Sequence, residues 1–141
     1  MTIELYVSGY GFSKRRCESI VSWFNNKYLK RFKVELEVLH RGLKREGVLG
    51  YCDISGRTRN PREFLIELQS NLDEETYTST LIHECVHLLD FVKGDLKIKS
   101  CRKYYKGIDV EEMDYEDQPH EIHAYKLEEE LYKEYITFLS T

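Results

Sequence analysis

Apolar and polar residues recur along this chain at two different periods, and the change of period marks where one element gives way to the next. Residues 2–7 (TIELYV) read as a strand that Gly9-Tyr10-Gly11 ends. Ser13 is a suitable N-cap for a helix running to about Phe32, within which Cys17, Ile20, Val21, Phe24, Tyr28 and Leu29 recur at helical spacing. Val34 to Leu39 (VELEVL) alternates apolar and acidic residues, as a strand buried on one face does. Arg41 to Gly47 reads as a turn, Val48 to Ile54 as a third strand, Ser55 to Pro61 as a basic loop, and Phe64 to Leu68 (FLIEL) as a fourth strand. Asn71 or Asp73 caps a second helix that continues to about Val92, and Gly94 is its natural stop. A last helix starts near Asp117 to Pro119, where proline is tolerated in the first turn, and continues to about Leu139.

Between these two helices the pattern is lost. Lys93, Lys97, Lys99, Arg102, Lys103 and Lys106 are followed by a strongly acidic run over 109–117. This stretch reads as an exposed connection with room for a short helical turn. The order β-α-β-β-β-α-α predicts an α+β domain. Its expected form is a three- to four-stranded, mostly antiparallel sheet with helices packed on one face.

Composition narrows the picture. The chain has 141 residues, 41% hydrophobic and 33% charged, with only 2 prolines, which suits a single folded domain over 1–141 with one core. No apolar run approaches the roughly 18 residues of a membrane span. Met1-Thr2-Ile3-Glu4-Leu5 lacks the basic-then-apolar order of a signal peptide. A cytoplasmic location without a membrane partner is therefore expected. Cys17, Cys52, Cys85 and Cys101 stand alone, with no Cys-x-x-Cys pair, so free thiols are expected rather than a tetrathiolate site. Residues 1–70 carry 13 Lys/Arg against 8 Asp/Glu, and residues 71–141 carry 8 against 17. The basic half admits an acidic or nucleic-acid partner, a weaker reading than a solvated charged surface. Nothing in the pattern sets an oligomeric state.

The chemistry concentrates in the second helix. His83-Glu84-Cys85-Val86-His87 is the pattern His-Glu-x-x-His. On a helix, residues four apart share a face, so both imidazoles reach one ion. Glu84 is rotated by about 100° from His83, near the ion without ligating it, where it can take a proton from metal-activated water. Leu81, Ile82, Cys85, Leu88, Leu89 and Val92 fall on the arc facing away from the histidines, so Cys85 reads as core. Asp90, one turn beyond His87, is placed to orient a ligand imidazole, although as a surface acid it needs no such role.

Catalytic zinc takes three protein ligands and leaves one position open. Glu121, His120 and His123 compete to be the third. Ala124, Leu127, Leu131, Tyr135 and Phe138 form the buried arc of the last helix, and Glu121 sits at its edge. His123 lies about 160° from Glu121, and His120 is close to the helix start. Glu121 is favoured.

His83-Glu84-x-x-His87 with a downstream Glu121-x-x-Ala124 resembles the gluzincin metallopeptidases. In that clan the third ligand is a glutamate on a later helix, followed three positions on by a small residue. The short chain and the strands preceding the motif are similar to the minigluzincins and to phage-type or ImmA/IrrE-like peptidase domains. The resemblance covers about residues 34–139. It implies Zn2+ held by His83, His87 and Glu121, with Glu84 as base and proton shuttle. It also implies a peptide or protein substrate, bound in extended form against the strand Phe64 to Leu68. The protein departs from the family at Tyr125, where an acid is usual, and in its long charged connection between His87 and Glu121. Tyr104, Tyr105, Tyr115, His123 and Tyr125 are unranked candidates to stabilise an oxyanion. Two other classes are open. One is a zinc nuclease or a DNA-associated SprT-like protease using the basic segment 93–106. The other is a non-catalytic zinc-stabilised binding module, which would need no acid at position 84.

Overall fold

The computed structural model describes residues 3–141. Thr2, the expected start of the first strand, lies outside them. The elements are β1 (Glu4–Gly9), α1 (Lys14–Phe24), β2 (Glu35–Arg41), β3 (Gly50–Ile54), β4 (Glu63–Gln69), α2 (Glu74–Lys93), β5 (Leu96–Lys99), β6 (Arg102–Tyr105), β7 (Ile108–Asp109) and α3 (Pro119–Leu139). A π-helical turn, Asn25–Leu29, continues α1, and a 3-10 turn, Tyr115–Asp117, precedes α3.

Local chemistry starts and stops the helices where expected. The Ser13 hydroxyl accepts the Arg16 N–H at 3.2 Å, and α1 buries Cys17, Ile20, Val21 and Phe24 as one stripe. Asp73, not Asn71, caps α2, accepting the Thr76 N–H at 2.8 Å. Asn71 instead adopts a left-handed backbone, φ 62°. Gly94, at φ 84°, ends α2 in a conformation that glycine adopts without strain.

The main sheet has the order β1-β2-β4-β3. In register, Leu36 faces Phe64, Val38 faces Ile66 and His40 faces Leu68, and all six are buried. Glu35 and Glu37 project from the opposite face of β2. Helices α1 and α2 pack together against the buried face, and α3 packs on α2. The α+β class and the one-sided helical layer hold.

The expected mostly antiparallel arrangement needs correction for this sheet, because β1–β2 and β2–β4 are parallel and only β3–β4 is antiparallel. The cause is connectivity. Helix α1 returns the backbone to the starting end, which makes β1 and β2 parallel. Strand β3 then takes the outer edge, and β4 returns between β3 and β2. This order also overturns the expectation that Phe64 to Leu68 pairs with a substrate. Both edges of β4 are hydrogen-bonded, and β3 is the strand at the rim.

The stretch expected as an exposed connection folds into a second sheet, β5-β6-β7, paired antiparallel throughout. Leu96 and Tyr105 are buried partners across it. Ser100 and Cys101 (φ 51° and 62°) and then Lys106 and Gly107 (φ 49° and 84°) make its two tight turns. Positive φ at both central residues suits the right-handed twist of a hairpin. Among the described residues no helix is long and apolar enough to cross a membrane.

Candidate metal centre

Helix α2 lies between the main sheet and α3, so every residue from Leu81 to Val92 is buried. His83, Glu84 and His87 are therefore buried polar groups, 6%, 5% and 6% exposed. Burying three such side chains on consecutive turns is costly unless each finds a partner. The partners of the two histidines come from α3. Pro119 starts that helix, and the next turn delivers Glu121 to the two histidines.

The Glu121 Oε1 lies 2.9 Å from His83 Nε2 and 3.1 Å from His87 Nε2. The two imidazole rings are nearly perpendicular, at 87° with centroids 4.8 Å apart, so their Nε2 atoms point to one place. Among the described residues, His83, His87 and Glu121 form the group whose donor atoms lie within 4.8 Å of one another. Two ligands about 2.05 Å from a tetrahedral zinc stand roughly 3.3 Å apart. The two histidine–Glu121 separations are slightly tighter than that, and two imidazoles and one carboxylate are a donor set that suits such an ion.

Charge follows the same geometry. Burial opposes a charge on His83, but its bonds to Glu121 and Glu128 outweigh this and raise its pKa to about 9. Glu121 is opposed by burial too, yet the two histidines hold its carboxyl well below the ordinary range. His87 is lowered, mainly by burial. Burial pushes the Glu84 carboxyl up to about 8, against the pull of His83. Glu84 lines a groove of about 910 Å³ shared with His83, His87 and Glu121. A carboxyl with a raised pKa beside an open groove is suited to accept and return a proton near neutral pH.

The competing residues separate cleanly. His120 is buried with its ring 5.6 Å from that of His87 and its Nε2 3.8 Å from the Glu121 Oε2, and its Nδ1 is unpartnered among the described residues. His123 turns away to Asp90, at 3.6 Å. Asp90 is thus engaged with His123 rather than orienting a site imidazole, and it is buried rather than a surface acid. Cys85 is buried in the core, as expected.

The carboxylate that does orient an imidazole is Glu128, which receives the His83 Nδ1–H at 2.8 Å. Sequence reading missed it. The available signal was spacing, since Glu128 lies two helical turns beyond Glu121 on the same face. Tyr125 occupies the intermediate turn, its ring 4.4 Å from that of His83. Of the five oxyanion candidates, Tyr115 and Tyr125 line the groove and Tyr104, Tyr105 and His123 do not. The Tyr115 hydroxyl donates to Glu121 at 3.2 Å and lies 3.0 Å from that of Tyr125.

No family model, no curated protein and no solved structure matches this sequence.

Proposed function

We propose that this protein is a zinc-dependent peptidase of the gluzincin kind, with His83, His87 and Glu121 as ligands and Glu84 as general base. The observation that carries the reading is the convergence of both Nε2 atoms and the Glu121 Oε1 beside an open groove. A zinc ion held there would polarise a carbonyl and make water more acidic. Glu84 accepts the proton of the attacking water as its oxygen bonds to the scissile carbonyl carbon. As the C–N bond breaks, Glu84 delivers that proton to the leaving amine. Tyr125 presents a hydroxyl at the groove for the developing oxyanion, beside the Tyr115 hydroxyl that donates to Glu121. Glu128 fixes the ring of His83.

An extended peptide fits the rim strand β3. Residues Gly50 to Asp53 line the groove, and β4 occupies only one of β3's two edges. Backbone pairing there would hold the substrate across from Glu84. The test is zinc content and peptide hydrolysis measured together. The wild type is expected to bind one zinc and cleave a diverse peptide library. Glu84→Gln should keep the zinc and lose about 10²- to 10⁴-fold in kcat. Stoichiometric zinc with no hydrolysis of any peptide would favour a zinc-stabilised binding module instead. No zinc binding would sink the reading altogether.

A further inference from the structure

Apart from the two histidines, the charged side chains lining the groove are acidic with one exception. Asp53, Glu75, Glu84, Glu121 and Glu128 line it, and Lys103 is its only lysine or arginine among the described residues. A lysine in such company ordinarily spends its charge in an ion pair. Among the described residues Lys103 makes none within 4.0 Å.

The backbone of Lys103 is nevertheless firmly held. It pairs with Ile98 of β5, its N–H donates to the Glu111 carboxylate at 2.8 Å, and its carbonyl accepts the Val110 N–H at 3.1 Å. Alternation puts Lys103 and Tyr105 on one face of β6. Tyr105 is buried beside the rings of His120 and His123, and Lys103, nearer the start of the strand, lines the groove. Phe91 and Leu96 line the groove with it at the C-terminal end of α2, whereas Glu75 and Thr76 line the N-terminal end. Among the described residues, the groove therefore carries its one unpaired lysine at the end of α2 where Phe91 and Leu96 line the wall.

We propose that Lys103, with Phe91 and Leu96, forms a substrate subsite for a carboxylate, supplied by an Asp or Glu residue or by the C-terminus of a peptide. This rests on the peptidase reading and adds a substrate class to it. An unpaired ammonium attracts a carboxylate, and the held strand fixes where its flexible stem begins. Asp53 and Glu75, which line the same groove, disfavour a carboxylate beside them.

The experiment uses the zinc-loaded, full-length protein and matched octapeptides carrying Glu or Gln at each position in turn. Each is made as free acid and as C-terminal amide. Hydrolysis is measured with the wild type and binding with zinc-loaded Glu84→Gln, by fluorescence anisotropy. One position is expected to favour Glu over Gln about tenfold in KM, roughly 1.4 kcal/mol, or the free acid over the amide by the same factor. The first result identifies an acidic residue of the substrate and the second a C-terminus. Lys103→Met should erase the preference, Lys103→Arg should keep it, and Lys103→Glu should turn it toward Lys. The thermal midpoint of Lys103→Met should stay close to that of the wild type, since the side chain has no ion-pair partner to lose.

Equal handling of Glu and Gln, and of acid and amide, by the wild type would overturn the proposal. So would a Lys103→Met variant that lowers kcat equally for every peptide, which would mark an oxyanion role. Preferential binding of carboxylate peptides without any cleavage would keep the subsite and remove the peptidase reading. Cleavage without preference would do the reverse.

Discussion

His40 and His83 are both buried histidines, and they sit in opposite kinds of surroundings. His40 is 0% exposed, on the inner face of β2. Its Nδ1–H donates to the Ser8 carbonyl at 2.9 Å, and its Nε2 accepts from the Tyr77 hydroxyl at 2.9 Å. Phe12 stacks on it at 3.6 Å. Both nitrogens are satisfied by neutral groups, which fixes one neutral tautomer. His83 has a carboxylate on each nitrogen, and His87 shares one of them. That is a surplus of negative charge around nitrogens pointing at one place. A buried histidine with neutral partners is framework, and one converging with others on a shared carboxylate is a site.

The largest expected effect of substitution on stability falls on the framework histidine. His40→Leu removes the bonds to the Tyr77 hydroxyl and the Ser8 carbonyl and should cost about 2 kcal/mol, read by urea unfolding with metal removed. Zinc affinity, measured separately, should be unchanged. The pH dependence has a definite sign. Burial lowers the pKa of His40, so its stabilisation is complete above the unfolded value of about 6.5. It is lost as pH falls toward the folded value. The deficit of His40→Leu relative to wild type should therefore be larger at pH 8 than at pH 5.5. An equal or larger deficit at pH 5.5 would mean that His40 is charged in the fold.

A smaller effect of the opposite kind is expected at Glu128. Glu128→Gln should weaken zinc binding about 10- to 100-fold, measured by competition with a chromogenic chelator, and leave apo stability little changed. Unaltered zinc affinity would show that Glu128 does not position the His83 ring. Smallest is Asp73→Ala, which removes the cap of α2 and should cost about 1 kcal/mol at unchanged zinc affinity. A large zinc effect there would mean that the site depends on the fraying of a helix end more than two turns away.

The elements most legible in the sequence carry their own signal. The stripe of α1, the alternation of β2 and the stop at Gly94 follow from neighbours a few residues apart. The His83/Glu84/His87 face is local in the same sense. Harder to see was the second sheet, because its strands are short and its exposed positions are lysines, so charge hid the alternation Leu96-Lys97-Ile98-Lys99. Strand order was harder still. Both hydrophobic faces of a strand can be read from sequence, but which strand takes the edge depends on how the backbone returns.

By itself, then, the sequence determined an α+β protein with a His-Glu-x-x-His helix and a short menu of third ligands. Its information is local, set by backbone periodicity and capping. Tertiary structure decided what joins residues far apart: Glu121 between His83 and His87, Glu128 on the second nitrogen of His83, β3 at the rim, and Lys103 facing the groove. Each of these depends on the packing of α3 and the second sheet around α2, a matter of rotation and depth that periodicity leaves undetermined.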